Sequence, residues 1–123
     1  MVTEERAAAN LAVKSLAKHL GQDIKLVYVA DKTVLTDYYV FCVGRSSAHM
    51  QALASTLEDE LAEKGVYARK IEGKNSAEWI LADFGSVIVH IFSKQSSEFY
   101  HMEKLFPAES FLNIDELLDP END

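Results

Sequence analysis

The chain has 123 residues, 48% of them apolar, and a formal net charge of −8. That length gives one domain, able to bury a core without disulfide staples and too short for a separate cofactor domain. The acidic balance argues against nucleic acid phosphate as the main source of affinity and favours a basic protein partner, and no run of about 18 apolar residues offers a transmembrane helix.

The first ten residues, MVTEERAAAN, carry acids where a signal or transit peptide is basic, and the single cysteine, Cys42, cannot form an intrachain disulfide. Both features point to a reducing, cytoplasmic setting. Thr3 is placed to cap a first helix, with Glu4 and Glu5 at its positive end. Ala8, Leu11, Ala12, Ser15, Leu16 and Leu20 make its apolar stripe, and Gly21 reads as its stop. Ile24 to Ala30 reads as a strand, and 31–37 as a connection with room for a short extension at Val34 and Leu35. Tyr38 to Val43 is nearly all apolar and rich in strand formers, which is the pattern of a central strand.

Gly44-Arg45-Ser46-Ser47 leaves that strand and opens a second helix, with Met50, Leu53, Ala54, Leu57 and Leu61 on one stripe and Gly65 at its end. Val66 to Ile71 reads as a third strand. Glu72 to Phe92 holds two more, and a turn at Phe84-Gly85 would set Trp79 opposite His90, Leu81 opposite Ile88 and Asp83 opposite Ser86. Strand alternation then puts Trp79, Leu81, Asp83, Ile88, His90 and Phe92 on one face. Ile80, Ala82, Val87, Val89 and Ile91 form the other, a plain core face. Ser96 or Ser97 caps a third helix with Phe99, Met102 and Phe106, stopped by Pro107. From Glu109 the chain holds six acids and no base, a solvated tail anchored at Phe111, Leu112, Ile114, Leu117 and Leu118. The expected fold is α/β, a mixed sheet of about five strands flanked by helices, with one domain over 1–107 and an acidic C-terminal tail over 108–123.

Catalytic readings are poorly supported. Asp83-Phe84-Gly85 matches a kinase tripeptide with none of its companions. Backbone N–H groups at Gly44-Arg45-Ser46-Ser47 are placed to hold an anion, but no acid pair follows to hold magnesium, and Asp37 precedes the strand. Ala48 stands where a nucleophile elbow needs glycine. His19, His49, His90 and His101 have no metal-site spacing. A basic cluster at Lys64, Arg69, Lys70 and Lys74 reads as a solvated rim. The face around Trp79 is the remaining candidate, as a core edge or a partner surface, since tryptophan often dominates interface energy.

Three stretches, DYYVFCVGRSSAHMQAL (37–53), EGKNSAEWILADFGSVIVHIF (72–92) and FYHMEKLF (99–106), resemble the Iojap family, the ribosomal silencing factors called RsfS. The resemblance rests on Thr36-Asp37-Tyr38, Gly44-x-Ser46, Glu72-Gly73, Trp79-x-Leu81-x-Asp83, Val89-His90-x-Phe92 and Phe99-Tyr100-x-x-Glu103. It implies a nucleotidyltransferase-like fold without the catalytic acids, no enzymatic activity, no cofactor and no metal. It further implies homodimers that bind protein L-fourteen of the large ribosomal subunit, block joining of the small subunit and lower translation in nutrient shortage, with little direct nucleic acid contact. Carried over by residue, the partner-binding positions are Trp79, Leu81, Asp83 and His90, then Tyr100 and Glu103. The sequence departs from the pattern at Glu98, where arginine is common, and at Met102 and Phe106, where leucine and tryptophan are common. The usual glycine is absent from Asn75-Ser76-Ala77-Glu78. The competing readings are a degenerate nucleotidyltransferase, which the missing acid pair disfavours, and a homodimeric assembly module.

Overall fold

The computed structural model describes residues 2–75 and 78–119. Ser76 and Ala77, and Glu121 and Asp123 of the acidic C-terminus, lie outside the described residues. The elements run α1 (Glu4–Lys18), β1 (Gln22–Tyr28), β2 (Tyr38–Gly44), α2 (Ser47–Glu63), β3 (Lys70–Glu72), β4 (Trp79–Asp83), β5 (Val87–Ser93), α3 (Glu98–Lys104), a 3-10 turn, β6 (Phe111–Leu112) and α4 (Asp115–Leu118). One six-stranded sheet has the order β3-β4-β5-β2-β1-β6. Only β2 and β5 pair in parallel; the other neighbours are antiparallel, so the fold is mixed α/β.

β2 lies at the centre and is buried along both faces, as its apolar run predicts. Val40 and Cys42 turn to the face covered by α1 and α2, together with Ile80, Ala82, Val87, Val89 and Ile91. Phe41 and Val43 turn to the other face, where Val27, Val29, Phe92 and Phe99 make a second, smaller cluster.

The helix signals act as the sequence predicts at the N-termini of α1 and α2, while at α3 Ser97 makes no side-chain cap bond and Ser96 Oγ accepts from Glu98 N–H at 3.2 Å. Thr3 Oγ1 accepts from Arg6 N–H at 3.1 Å, and Ser46 Oγ accepts from His49 N–H at 3.0 Å. The stop of α1 differs. Leu20, not Gly21, takes the left-handed conformation, at φ +70°. Gly21 is needed for space instead: a Cβ there would lie 2.5 Å from Cys42 Sγ and 2.9 Å from Leu16 O. Gly21 N–H bonds Leu16 O at 2.8 Å and Leu20 N–H bonds Ala17 O at 3.1 Å, which closes the helix end.

Several boundaries move, each for a local reason. β1 starts at Gln22 because an irregularity around Asp23, at φ +50°, lets the chain pair immediately after the helix stop. It gives way to a turn closed by Lys32 N–H and Thr33 N–H on Val29 O. Val34 and Leu35 form no strand and stand 102% and 71% exposed. β3 is shorter than Val66 to Ile71, since Val66 N–H is taken by Leu61 O at the end of α2. α3 ends at Lys104, ahead of Phe106; the proline at 107 disfavours helical backbone in the residue before it. β6 adds a sixth strand, two residues long, on the outer edge of β1. Two residues carry no readable periodicity, and the open edge of β1 supplies their partners. Ile114 is buried, Leu112 and Leu117 pack on the main core, and α4 lies against α1.

The hairpin of β4 and β5 has a corrected register. Trp79 pairs with Phe92, Leu81 with His90, and Asp83 with Ile88. The turn residues are Gly85 and Ser86 rather than Phe84 and Gly85. Phe84 N–H bonds Val87 O at 2.8 Å, and Gly85 N–H bonds Asp83 Oδ1 at 2.8 Å. Gly85 sits at φ +89°, in the first loop position, where two-residue hairpins use glycine. Moving the turn by one residue slides the pairing by two, so each side chain keeps its face.

Candidate partner-docking face

Trp79, Leu81, Asp83, Ile88, His90 and Phe92 share the face of the sheet opposite α1 and α2. Phe92 is fully buried beneath Phe99 of α3, with ring centroids 5.9 Å apart. Trp79 is half-buried at the margin of this cluster, 5.3 Å from the Phe92 ring. Its indole N–H donates to His90 Nδ1 at 3.1 Å, a diagonal contact across the strand pair. His90 is therefore a neighbour of Trp79 without being its cross-strand partner.

The rings of Tyr39, Phe41, Trp79 and Phe92 surround His90, with centroids 4.9 to 6.1 Å away. Burial pushes its imidazole down to about 4, so the ring is neutral at neutral pH. An indole nitrogen only donates, so Nδ1 accepts and the proton of the neutral ring is assigned to Nε2 from the bonding network. Nε2 is buried and has no hydrogen-bond partner among the described residues.

Beyond the cover of α3 the same face opens into a groove of about 470 Å³, lined by Leu35, Tyr39, Arg69, Lys70, Leu81, Asp83, Ile88 and His90. Leu35 comes from the β1–β2 connection, Tyr39 from β2, and Arg69 and Lys70 from the start of β3. Phe106, just past α3, meets the Tyr39 ring at 5.7 Å. Asp83 is anchored twice through its own residue: Oδ1 accepts from Gly85 N–H, and its carbonyl accepts from Arg69 N–H at 2.7 Å.

The structure thus brings Leu81, Asp83 and His90 into one groove with Trp79 beside it, and it sets Tyr100 and Glu103 elsewhere. Tyr100 is 59% exposed and lines a small cleft with Gln22, Asp23, Ser93 and Lys94. Glu103, one turn further along α3, lies 4.0 Å from Lys25 Nζ, beside a cavity of about 670 Å³ bounded by Phe106, Phe111 and Leu112. Sequence reasoning missed Leu35 and Tyr39, placed Ile88 on the face without naming it as a contact, and read Arg69 and Lys70 as a rim. Leu35 carried one usable signal, a large apolar residue in a connection between strands.

The alternative centres have other tasks. Cys42 is fully buried on the helix-covered face, with its thiol pushed up to about 12 by desolvation, and it lies across the sheet from His90. At the turn before α2, His49 Nδ1 accepts from Arg45 N–H and its Nε2 bonds His19 O, each at 2.9 Å, so the imidazole ties α2 to the end of α1. Asp37 and Ser46 flank opposite ends of β2. Among the described residues no group of three His, Cys, Asp or Glu is placed to hold a metal ion, and no helix is long and apolar enough to cross a membrane.

A mixed six-stranded sheet covered by helices on one face and half covered by aromatic rings and α3 on the other defines an α/β domain. A family model described as "Ribosomal silencing factor during starvation" matches residues 2–123, and the chain belongs to that RsfS family. It is 29% identical over 111 residues to ribosomal silencing factor RsfS of Bacillus subtilis, covering 90% of this chain and 94% of that one. It is 40% identical over 86 residues to RsfS of Haemophilus influenzae, covering 70% and 84%. The crystal structure of protein CV0518 from Chromobacterium violaceum superposes with a TM-score of 0.79 at 31% identity, covering 84% of this chain and 86% of that one.

Proposed function

We propose that this protein is a non-enzymatic, cytoplasmic translation repressor. It binds the large ribosomal subunit through protein L-fourteen and sterically blocks association with the small subunit, lowering translation in nutrient shortage. It acts as a homodimer and uses no cofactor. Occupied surface on one subunit excludes the other, so efficacy depends on affinity and on residence longer than the subunits' encounter time.

The observation that carries this reading is the open groove at Leu81, Asp83 and His90 beside Trp79, on a face that the helices leave half covered. Tryptophan is among the residues that most often anchor interfaces, and here it stands half-buried beside a partly apolar groove. Family membership supports the ribosome as the target, and the net charge of −8 supports a basic protein as the contact rather than bare RNA. Tyr100 and Glu103 serve as secondary contacts outside the groove.

The test is subunit joining in sucrose gradients. Saturating protein is expected to hold the large subunit in its free peak when small subunits are added. Normal formation of joined ribosomes at saturation contradicts the proposal.

A further inference from the structure

His90 is 4% exposed, yet its Nε2 has no hydrogen-bond partner among the described residues. Folded proteins rarely leave a buried N–H without an acceptor, and each such group asks for an explanation. The bond from the Trp79 indole at 3.1 Å occupies Nδ1 as an acceptor, which makes the orphan nitrogen a donor. Nε2 lies on the ring edge away from Trp79, and His90 is part of the groove wall while Trp79 is not. The Tyr39 ring stands nearly perpendicular to the imidazole, with centroids 4.9 Å apart. The charged groups facing the groove are Asp83 from β4 and Arg69 and Lys70 from the β3 side.

We propose that the groove takes an extended, apolar segment of a protein partner whose main-chain carbonyl oxygen accepts the hydrogen bond offered by His90 Nε2, with Trp79 as the positioning residue that fixes which imidazole nitrogen is presented. This rests on the docking reading above and specifies its chemistry. Leu35, Leu81 and Ile88 supply apolar walls for the segment. The carbonyl reaches Nε2 as the Tyr39 ring turns aside. A neutral carbonyl suits the site because Leu35, Leu81 and Ile88 make its walls apolar and the Asp83 carboxylate offsets part of the charge of Arg69 and Lys70.

Two measurements test it. Nitrogen NMR of the free protein is expected to show a protonated Nε2 and a bare Nδ1 on His90; the reverse tautomer overturns the proposal without any substitution. Binding to purified large ribosomal subunits is then compared for wild type, His90→Phe and Leu81→Asp, each checked by circular dichroism. His90→Phe keeps a ring and removes the donor, and about tenfold weaker binding is expected. If His90→Phe binds as wild type while Leu81→Asp has lost binding, the carbonyl contact is wrong and the docking face stands. If both bind as wild type, the docking reading falls with it. Equal affinity for ribosomal RNA stripped of protein also overturns the choice of acceptor. If His90→Phe does not fold, the tautomer measurement on the unmodified chain decides.

Discussion

Val40, Cys42, Ile80, Ala82, Val89 and Ile91 point to one side of the sheet, and each is fully buried under α1 and α2. Tyr39, Leu81 and Asp83 point to the other and stay partly open, with His90 buried among rings and one nitrogen unpartnered. The first face is made of small and aliphatic groups that interlock with the helix stripes. The second is made of aromatic rings, an imidazole and a carboxylate, and a single short helix covers only part of it. The contrast separates stability from recognition: most of the folding energy belongs to the covered face, while the open face is shaped for contact.

The largest effect that can break this division is on the covered side. Leu57 of α2 is fully buried, and Leu57→Ala is expected to cost about 2–5 kcal/mol in urea unfolding. Its affinity for the large subunit, measured where the variant is still folded, should be unchanged. A cost below about 1 kcal/mol would show that this face does not hold the fold.

The second effect concerns His90. Its folded-state value of about 4 lies below the ordinary 6.5, so the unfolded chain takes up the proton first as pH falls. The contribution of the neutral ring is complete above about 6.5, declines as pH drops toward about 4, and then levels off. The loss across that window reaches about 3 kcal/mol at most, and His90→Phe should flatten it in melts taken between those limits. A wild-type profile with no slope that His90→Phe removes would mean the imidazole is not closed off from water.

The smallest expected change in stability is on the open side. Leu35 is 71% exposed, so Leu35→Ser should leave stability within about 0.5 kcal/mol. Binding to the large subunit should weaken by about tenfold, the worth of a modest apolar contact in an interface. Unchanged binding would remove the β1–β2 connection from the docking surface.

Much of the covered face was legible in the sequence because it follows local periodicity. Met50, Leu53, Ala54, Leu57 and Leu61 repeat at helical spacing, and Ile80, Ala82, Val87, Val89 and Ile91 alternate along two strands. Turn placement was less legible: Phe84-Gly85 and Gly85-Ser86 both accept a glycine, and only the bonds of Phe84 and Asp83 choose between them. Parity preserved the faces despite the slip. The groove itself depends on long-range pairing. Tyr39 reaches Ile88 and His90 through the parallel β2–β5 ladder, and Arg69 reaches Asp83 through the edge strand. The diagonal bond from Trp79 to His90 depends on rotamers, which no one-dimensional pattern carries. The helix positions of Tyr100 and Glu103 were readable, but not the placement of α3 that sets them beside different clefts, away from the groove.

The most direct test is cosedimentation of wild type and Trp79→Ala with purified large ribosomal subunits, with the fold of each checked by circular dichroism. Trp79 is half-buried beside the groove and donates to His90 of its wall, and truncation of an anchoring tryptophan costs about 2 kcal/mol or more of binding. The expected result is a natively folded Trp79→Ala that stays in the supernatant while wild type pellets with the subunit. Copelleting of Trp79→Ala at the wild-type level, or collapse of its fold, would contradict the assignment of this face to recognition.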